Sequence, residues 1–356
     1  MLEGKMDLEG YLAECRSLVI EEIRRFVPRA DARLGPILYD LMLDYPLRDA
    51  KALRPALSIA FCRALGGRLD AVLPSAAVLE FYHNAFLIHD DIEDGSYERR
   101  GAATLHVDHG VSVAINVGDA MLALSLRPLL DNTRVIGLGK ALRVLEAVAK
   151  MAEISVAGQA LELDWIRRRQ WDLEDLDYLS MVEKKTAWYS FVTPLQVAVI
   201  AAGGGADLAE WAVHFGRALG LAFQIQDDVL NIDPSSSRYG KELCGDLWEG
   251  KRTLILLHML RSASPAARER AREILNKPRP SPRPRPGDEA PKTEAEVEFI
   301  RSLILEHQSL EHARGVARGF ADAAHGHAQQ LRSWVSPSIH RDFLESLVNY
   351  VHLRHH

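Results

Sequence analysis

Four carboxylates lie within five positions in the segment FLIHDDIEDGSYERRG, which begins at Phe86. On a helix, Asp90 and Asp94 are four residues apart and point the same way, with Asp91 about 100° around the axis. These acids come at the C-terminal end of an apolar helix, where the helix dipole disfavours anions. A divalent cation removes that penalty, and Mg²⁺ typically binds one or two carboxylates together with substrate phosphate oxygens. The cluster therefore predicts a magnesium site rather than a solvated helix end.

A second pair of aspartates, Asp227 and Asp228, follows another apolar run over residues 219–225. Asn231 stands four residues after Asp227 and offers a neutral oxygen to a metal ion or to metal-bound water. Basic and acidic residues then alternate, at Lys241, Asp246 and Lys251. This alternation suits a metal ion and a phosphate. Together the two pairs indicate a Mg²⁺ cluster that binds a diphosphate between two facing helices.

Basic residues suited to phosphate accompany these acids. Arg99 and Arg100 follow the first pair within ten residues, and arginine is the fork-shaped donor that matches phosphate oxygens. Lys51 and Arg54 are three residues apart, so we expect them on one face of a helix. The sequence therefore predicts more than one group that binds phosphate.

Two further sites interrupt otherwise apolar helices. His83 lies seven residues before Asp90, two turns away on the same face, which favours a ligand over an ordinary core histidine. Lys184, Lys185 and Thr186 interrupt a second apolar stretch. A lysine there either extends its ammonium group to water or faces a buried anion.

The helical periodicity of apolar residues dominates the chain and predicts an all-α protein of about a dozen helices. The predicted helices that carry the motifs are 70–95, 173–203 and 207–233. Six prolines stand between Pro278 and Pro291, and they predict an exposed, extended loop over about 277–292 because proline lacks the donor that a helix needs. The helices on both sides look alike, so we expect a single domain over 1–356.

Composition excludes several classes of protein. The net charge is −6, from 43 basic and 49 acidic side chains, which argues against a nucleic-acid partner. We expect no membrane span, because no uninterrupted apolar run reaches about 18 residues. The three cysteines are far apart and odd in number, so they predict no disulfide framework and favour a reducing cytoplasm.

Taken in order, these segments resemble the trans-isoprenyl diphosphate synthases, also called the polyprenyl synthetase family. The resemblance runs from about Ile37 to Leu353. Its landmarks are KxxRP (Lys51 to Pro55), the histidine at His83, DDxxD followed by RRG (Asp90 to Gly101), Gly158-Gln159, Lys185-Thr186, FQxxDDxxN (Phe223 to Asn231) and the GK…DLxEGK stretch (Gly240 to Lys251). So many motifs in register make a chance match very improbable.

The resemblance implies an isoprenoid synthase fold with a deep central cavity between long helices, and a homodimer. It implies that three Mg²⁺ ions bind the diphosphate of an allylic substrate through Asp90, Asp94 and Asp227, with Asp91 and Asp228 in support. The side chains that would hold the same diphosphate are Arg99, Lys185, Lys241 and Lys251. Those that would hold the diphosphate of isopentenyl diphosphate are Lys51, Arg54, His83 and Arg100. Thr186 and Gln224 would lie beside the developing allylic cation.

Product length depends in this family on the residues four, five and eight positions before Asp90, which are Phe86, Ala85 and Tyr82. Phe86 and Tyr82 share a helix face. If they point into the cavity they stop a growing chain, and otherwise they are plain core. Ala85 leaves room where synthases that make the C15 product often place an aromatic residue. We therefore expect geranylgeranyl diphosphate (C20), with farnesyl diphosphate (C15) as the alternative.

Two other functions remain open at this stage. A class I terpene cyclase on the same fold needs the metal site but not the isopentenyl site, and all four residues predicted for the latter site are present. A non-catalytic subunit of a heteromeric synthase usually lacks an aspartate motif or a key basic residue, whereas both aspartate pairs are intact here. Both alternatives are therefore less favoured than a prenyltransferase.

Overall fold

The structure, a computed structural model, describes residues 7–28, 32–233, 244–280 and 289–353. Over these residues the chain forms seventeen α-helices, two π-helical segments and one short β-hairpin. The all-α prediction is thus confirmed, with more helices than the dozen expected.

The helices of the described residues are α1 (Leu8–Phe26), α2 (Asp40–Leu47), α3 (Leu53–Ala64), α4 (Leu69–Glu93), α5 (Leu105–His109), α6 (Val111–Leu124), α7 (Leu126–Ile136), α8 (Leu138–Arg167), α9 (Asp175–Val182), α10 (Thr193–Ala202), α11 (Ala206–Ile232), α12 (Gly245–Glu249), α13 (Leu254–Ser262), α14 (Pro265–Leu275), α15 (Glu294–Glu306), α16 (Ser309–Leu331) and α17 (Ile339–Leu353). The π-helical segments are Gly35–Tyr39 and Glu183–Val192. The strands are β1 (Glu98–Arg99) and β2 (Ala102–Ala103).

The chain packs as two compact units. Unit 1 contains the described residues of 1–153, 188–218 and 323–350, and unit 2 contains those of 154–187, 219–322 and 351–356. Four α-helices of the described residues, α8, α11, α16 and α17, contribute residues to both units. A single domain over 1–356 stays a prediction.

The central element of unit 1 is α4, which packs against α1, α3, α6, α7 and α10. Most of its residues are buried, as expected of a helix that is apolar on every side. The helix runs to Glu93, and Gly95 follows with a positive φ of 63°. The first acidic cluster therefore stands at the end of a rigid core helix, as the sequence predicts.

A two-residue turn presents the arginines that follow α4. Glu98 pairs with Ala103 and Arg99 with Ala102 in an antiparallel hairpin. Arg100 and Gly101 connect the strands with φ values of 54° and 74°, the left-handed backbone that a tight hairpin turn requires at both positions. The backbone geometry of the turn therefore fixes where Arg99 and Arg100 leave the chain after α4.

Unit 2 is built around a second core of aromatic and aliphatic side chains from α8, α9 and α11 to α16. It includes Trp165, Trp171 and the fully buried Tyr178. Helices α13 and α14 are separate elements, because Ser264 caps a new helix that begins at Pro265. The predicted helix over 173–203 contains the π-helical segment, a feature that often marks functional sites.

Two stretches, α4 and residues 111–136, are long and apolar enough by length and composition to cross a membrane. In α4, 78% of the apolar window is buried within the protein, but in residues 111–136 the figure is 39%. Neither stretch is an uninterrupted apolar run, and the expectation that the chain has no membrane span stays a prediction. Core helices of soluble proteins pass the same test, so length and composition alone do not identify a span.

Candidate active site

The second aspartate of the first pair, Asp91, is fully buried. The Tyr45 hydroxyl donates a hydrogen bond to its Oδ2 at 2.6 Å, and Nε of Arg99 lies 2.9 and 3.0 Å from its two carboxylate oxygens. The same guanidinium group lies 4.0 Å from the carboxylate of Asp90. Burial lowers the pKa of Arg99, but its bonds to Asp91 outweigh burial and raise that pKa. Asp91 therefore orients Arg99 beside Asp90.

The two aspartates predicted as direct metal ligands in this cluster, Asp90 and Asp94, are half-buried at the end of α4. The backbone N–H of Asp94 donates to the carbonyl of Asp90 at 2.8 Å, so one helical turn separates them. Among the described residues, no three His, Cys, Asp or Glu side chains are gathered so as to hold a metal ion by themselves. The donors nevertheless fit Mg²⁺, which takes one or two carboxylates and completes its shell with water and phosphate oxygens.

The second aspartate pair repeats this arrangement in unit 2. Asp228 is buried, and the Tyr178 hydroxyl donates to its Oδ2 at 2.6 Å. Gln224 donates from Nε2 to Oδ1 of Asp228 at 2.8 Å, and its Oε1 accepts a hydrogen bond from Thr186 at 3.1 Å. Burial raises the pKa of Asp228 above its ordinary range, while the bonds from Tyr178 and Gln224 act in the opposite direction. Its neighbour Asp227 is half-buried.

Asn231, in the last turn of α11, contacts α12. Its side-chain oxygen accepts a hydrogen bond from the backbone N–H of Asp246 at 3.1 Å, which fastens α12 to α11. Its predicted role toward a metal ion stays a prediction. The Lys251 ammonium group lies 3.1 Å from Glu249 and 3.9 Å from Asp246. Lys241 lies outside the described residues, and its role stays a prediction.

Lys185 and Thr186 lie in the π-helical segment Glu183–Val192. The Lys185 ammonium group forms an ion pair with the buried carboxylate of Glu162 on α8. At Gly158 on the same helix, a Cβ atom would lie 2.4 Å from the backbone nitrogen of Lys185. The absence of a side chain at Gly158 therefore lets α8 pack directly on the backbone that presents Lys185.

The arginine predicted for the isopentenyl site is held by two hydroxyl groups. Nη2 of Arg54 lies 2.8 Å from both the Tyr189 hydroxyl and Oγ of Ser190, and its guanidinium carbon lies 4.4 Å from the Tyr189 ring. The ring of His83 is 6.0 Å from that of Tyr189. Lys51 lies before the first residue of α3, so the expectation that it shares a helix face with Arg54 is wrong.

The remaining basic residues of this group are held by other contacts in unit 1. The Lys51 ammonium group donates to the Tyr350 hydroxyl and lies 5.2 Å from the centre of that ring. Nη1 of Arg100 donates to the carbonyl of Tyr45 at 3.0 Å. Tyr45 thus contacts both Asp91, through its hydroxyl group, and Arg100, through its backbone.

The residues predicted to set product length form part of an aromatic cluster. The rings of Tyr82 and Phe86 meet edge to face at 5.7 Å, and Phe86 meets Tyr189 edge to face at 5.8 Å. Tyr82 and Phe86 are half-buried, whereas Ala85 is fully buried. Their role in stopping chain growth stays a prediction.

Sequence reasoning missed the residues that hold the predicted side chains in place, namely Tyr45, Tyr178, Glu162, Tyr189 and Tyr350. Two of them have a helical spacing from a motif residue. Glu162 follows Gly158 by four residues and Tyr189 follows Lys185 by four, the spacing of neighbours on a helical face. All four tyrosines are separated by tens of residues or more from the groups that they bind, so no local pattern indicates those contacts.

The comparisons with known proteins agree with these motifs. The family model of the polyprenyl synthetases matches residues 36–283. A short chain isoprenyl diphosphate synthase of Methanocaldococcus jannaschii is 31% identical over 255 residues, which are 72% of this chain and 74% of that protein.

Solved structures are similar over nearly the whole chain. A geranylgeranyl pyrophosphate synthetase from Pyrococcus horikoshii has a TM-score of 0.83 and 27% identity, covering 97% of this chain and 98% of its own. A geranylgeranyl pyrophosphate synthase from Corynebacterium glutamicum, complexed with isoprenyl diphosphate and magnesium, has a TM-score of 0.80 and 25% identity, covering 98% and 99%. The predicted isoprenoid synthase fold is thereby confirmed, and the chain belongs to the polyprenyl synthetase family.

Proposed function

We propose that the protein is a Mg²⁺-dependent prenyltransferase that condenses isopentenyl diphosphate with an allylic diphosphate to give a short-chain all-trans prenyl diphosphate. The observation that carries the proposal is the repeated construction of the two aspartate pairs. In each pair the second aspartate, Asp91 or Asp228, is buried and bound by a tyrosine hydroxyl at 2.6 Å. Such a carboxylate fixes its helix end, and with it the backbone that carries the preceding aspartate, Asp90 or Asp227.

Three Mg²⁺ ions would be held by Asp90, Asp94 and Asp227 around the allylic diphosphate, with Asp91 and Asp228 in support. The magnesium bound to the Corynebacterium glutamicum structure supports the choice of ion. When bound, the ions neutralise the charge that develops on the leaving diphosphate. The cationic side chains assigned to the same group are Arg99, Lys185, Lys241 and Lys251.

The residues assigned to isopentenyl diphosphate are Lys51, Arg54, His83 and Arg100. The carbon–oxygen bond of the allylic substrate breaks and diphosphate leaves, so an allylic cation forms. The double bond of isopentenyl diphosphate attacks this cation, a new carbon–carbon bond forms, and a proton is lost to regenerate a double bond. The hydroxyl of Thr186 and the amide oxygen of Gln224 place fixed dipoles beside the cation, and an apolar cavity keeps water away from it.

The product that we propose is geranylgeranyl diphosphate (C20), because the aromatic residues before Asp90 favour this length. The C15 product is the alternative. Tyr82 and Phe86 would block growth beyond that length, and Ala85 would leave room above them. The relatives named as geranylgeranyl synthases support the same length. We expect Tyr82→Ala to yield longer products, and an unchanged product would reject this assignment.

The first experiment is incubation of the purified chain with Mg²⁺, isopentenyl diphosphate and allylic primers of five, ten and fifteen carbons, with products identified by mass spectrometry. Prenyl diphosphates that end at one length support the proposal. A hydrocarbon released from an allylic diphosphate alone would indicate a terpene cyclase, and no product in any mixture would indicate a subunit that needs a partner.

The metal assignment has its own variant. Asp90→Ala should abolish turnover and leave the fold intact, because it removes a predicted ligand and also relieves repulsion at the end of α4. Asp70→Ala, in the first turn of the same helix, is the matched control and should retain full activity. Near-normal turnover by Asp90→Ala would refute the metal assignment.

We also propose that the chain forms a homodimer through α6, α7 and α8. These helices carry large apolar side chains that are exposed in the single chain, namely Val111, Ile115, Leu126, Leu130, Leu138 and Leu142. Several exposed apolar side chains on consecutive helices are typical of a protein interface. Light scattering should give twice the mass of the chain, Leu142→Asp should reduce that mass, and Leu176→Asp, at an exposed position of α9, should not. A monomeric wild-type chain would refute the dimer.

A further inference from the structure

The proline-rich segment ends in a lysine that is buried against the end of α12. Lys292 is only 2% exposed, so the prediction of an exposed loop over about 277–292 is wrong at its last residue. Its ammonium group donates to the backbone carbonyl of Trp248 at 2.8 Å and also to the carbonyl of Lys277. Its backbone N–H donates to the carbonyl of Pro278 at 2.9 Å. One side chain therefore joins the two ends of the proline-rich segment to α12.

The two carbonyl groups bound by Lys292 lie at one helix C-terminus and just beyond another. Trp248 lies in the last turn of α12, and Lys277 is the second residue after α14. The carbonyls at a helix C-terminus lack partners within the helix and carry partial negative charge, which a nearby cation stabilises. Lys292 thus connects the end of α12 to the chain that leaves α14.

The backbone next to Lys251 is fitted tightly against α14. Gly250 has a φ of 70°, and a Cβ atom at this position would lie 2.5 Å from the carbonyl oxygen of Leu275 and 3.7 Å from Nζ of Lys292. A movement of α14 relative to α12 therefore moves Gly250. Lys251 is the next residue, and its backbone N–H donates to the carbonyl of Asp246 at 3.0 Å.

A second ion pair connects the same elements. Glu249 lies 3.1 Å from Lys251 and 3.6 Å from Arg279, which belongs to the proline-rich segment. The carboxylate of Glu249 is therefore shared between a predicted substrate-binding lysine and the proline-rich segment. None of the family motifs includes this segment. Its described residues Arg279 and Lys292 nevertheless lie next to Glu249 and Gly250, the two residues that precede Lys251.

We propose that Lys292 is a positioning residue for the allylic diphosphate: by binding the C-terminus of α12 and the chain that leaves α14 it holds Gly250 and Lys251 where Lys251 meets that diphosphate. The inference rests on the proposed function for its effect on turnover. Its structural part, the fixing of the backbone at 249–251, is independent of any activity.

The test compares Lys292→Met with the wild-type protein in steady-state kinetics and in hydrogen exchange. Lys292→Met should raise KM for the allylic diphosphate about tenfold, the effect of one weakened charge-assisted hydrogen bond, with KM for isopentenyl diphosphate unchanged. The amides of Gly250 and Lys251 should exchange faster than in the wild type. Lys292→Gln keeps an uncharged N–H group that can bind one carbonyl, so its KM should lie between those of the wild type and Lys292→Met. It replaces Lys292→Met in the test if that variant does not fold.

A double-mutant cycle separates positioning from a general loss of stability. In the Lys251→Ala background, Lys292→Met should change KM for the allylic diphosphate by less than about twofold, because the group through which it acts is already gone. Lys277→Met is the matched control, since its ammonium group pairs with Glu296 instead of a carbonyl of α12, and it should leave KM unchanged.

The outcomes are distinguishable. A tenfold rise that persists in the Lys251→Ala background, or an equal rise of KM for both substrates, would overturn the positioning role. Unchanged exchange at Gly250 and Lys251 would overturn it even if the wild-type chain shows no prenyltransferase activity. Absence of wild-type turnover together with faster exchange in Lys292→Met would count against the proposed function and leave the structural part supported.

Discussion

Replacement of Gly158 by alanine tests whether the contact between α8 and the π-helical segment positions Lys185. A Cβ atom at Gly158 would lie 2.4 Å from the backbone nitrogen of Lys185, 2.8 Å from its Cα and 2.9 Å from the carbonyl carbon of Lys184. The atoms that it meets are backbone, so no side-chain rotation relieves the overlap. Gly158→Ala must therefore displace α8 or the segment that carries Lys185 and Thr186.

The size of the effect follows from the shortfall in distance. Ordinary contacts of a Cβ atom begin at 3.4 Å, so the backbone has to move by about 1 Å. A misplacement of this size costs about 100-fold in the rate of an enzyme reaction. Overpacking of a core contact costs about 1–3 kcal/mol of stability. We therefore expect kcat/KM to fall about 100-fold, while the protein stays folded.

The assay measures kcat/KM with both diphosphate substrates, and urea denaturation gives the free energy of unfolding. Gly319→Ala is the matched control, because no atom lies within 4 Å of a Cβ atom at this position in α16. That control should leave activity unchanged and raise stability by up to about 1 kcal/mol, the gain in helix propensity. If Gly158→Ala keeps kcat/KM within about threefold of the wild type, well short of the expected loss, the segment tolerates the displacement and the reasoning is refuted.

Three further outcomes follow from other contacts. Tyr178→Phe removes a hydrogen bond to the buried carboxylate of Asp228 and should lower kcat/KM at least about tenfold. Tyr45→Phe should lower kcat/KM less, because Asp91 keeps Arg99 as a partner. A larger loss of kcat/KM in Tyr45→Phe than in Tyr178→Phe would contradict this account. His258 stacks on His312 at 4.2 Å, and burial, with repulsion from His312, lowers the pKa of His258. The unfolded chain then binds more protons than the folded one, so the urea midpoint should fall as the pH drops below about 6.5. The fall should be smaller in His258→Gln. Equal pH dependence of the midpoint in the two proteins would show that His258 does not contribute to it. Chelation with EDTA should abolish turnover, and added Mg²⁺ should restore it; turnover that continues in EDTA would exclude a divalent ion.

The sequence alone was sufficient to place the acidic motifs on the fold. Helical periodicity located α4 and α11 to within a few residues, and the position of the acids at their ends followed directly. The family resemblance implied that Thr186 and Gln224 lie together, and the structure joins them to each other and Gln224 to Asp228 by hydrogen bonds. Sequence spacing predicts these positions correctly because residues on one helix have a fixed geometry relative to each other.

Spacing fails where the backbone leaves the helix or where the partner is remote. Lys51 was expected on the face of Arg54, but Ala52 between them has a left-handed φ of 47°, so α3 begins only at Leu53. Asn231 has the sequence position of a metal ligand, and its oxygen also accepts a hydrogen bond from the backbone of Asp246. A local pattern cannot show such a bond, because tertiary packing brings the backbone group to the side chain.

The two aspartate pairs show why these remote partners matter to the chemistry. A carboxylate at the C-terminus of a helix is unfavourable, and two adjacent carboxylates are more so. In each pair one member is withdrawn from this repulsion by burial against a tyrosine, and Asp91 is also paired with Arg99. The other member, Asp90 or Asp227, is only half-buried and is the one to which the proposed function assigns a metal ion. On that proposal the tyrosines divide each pair into an anchor and a ligand, so that two identical residues acquire different roles from tertiary contacts.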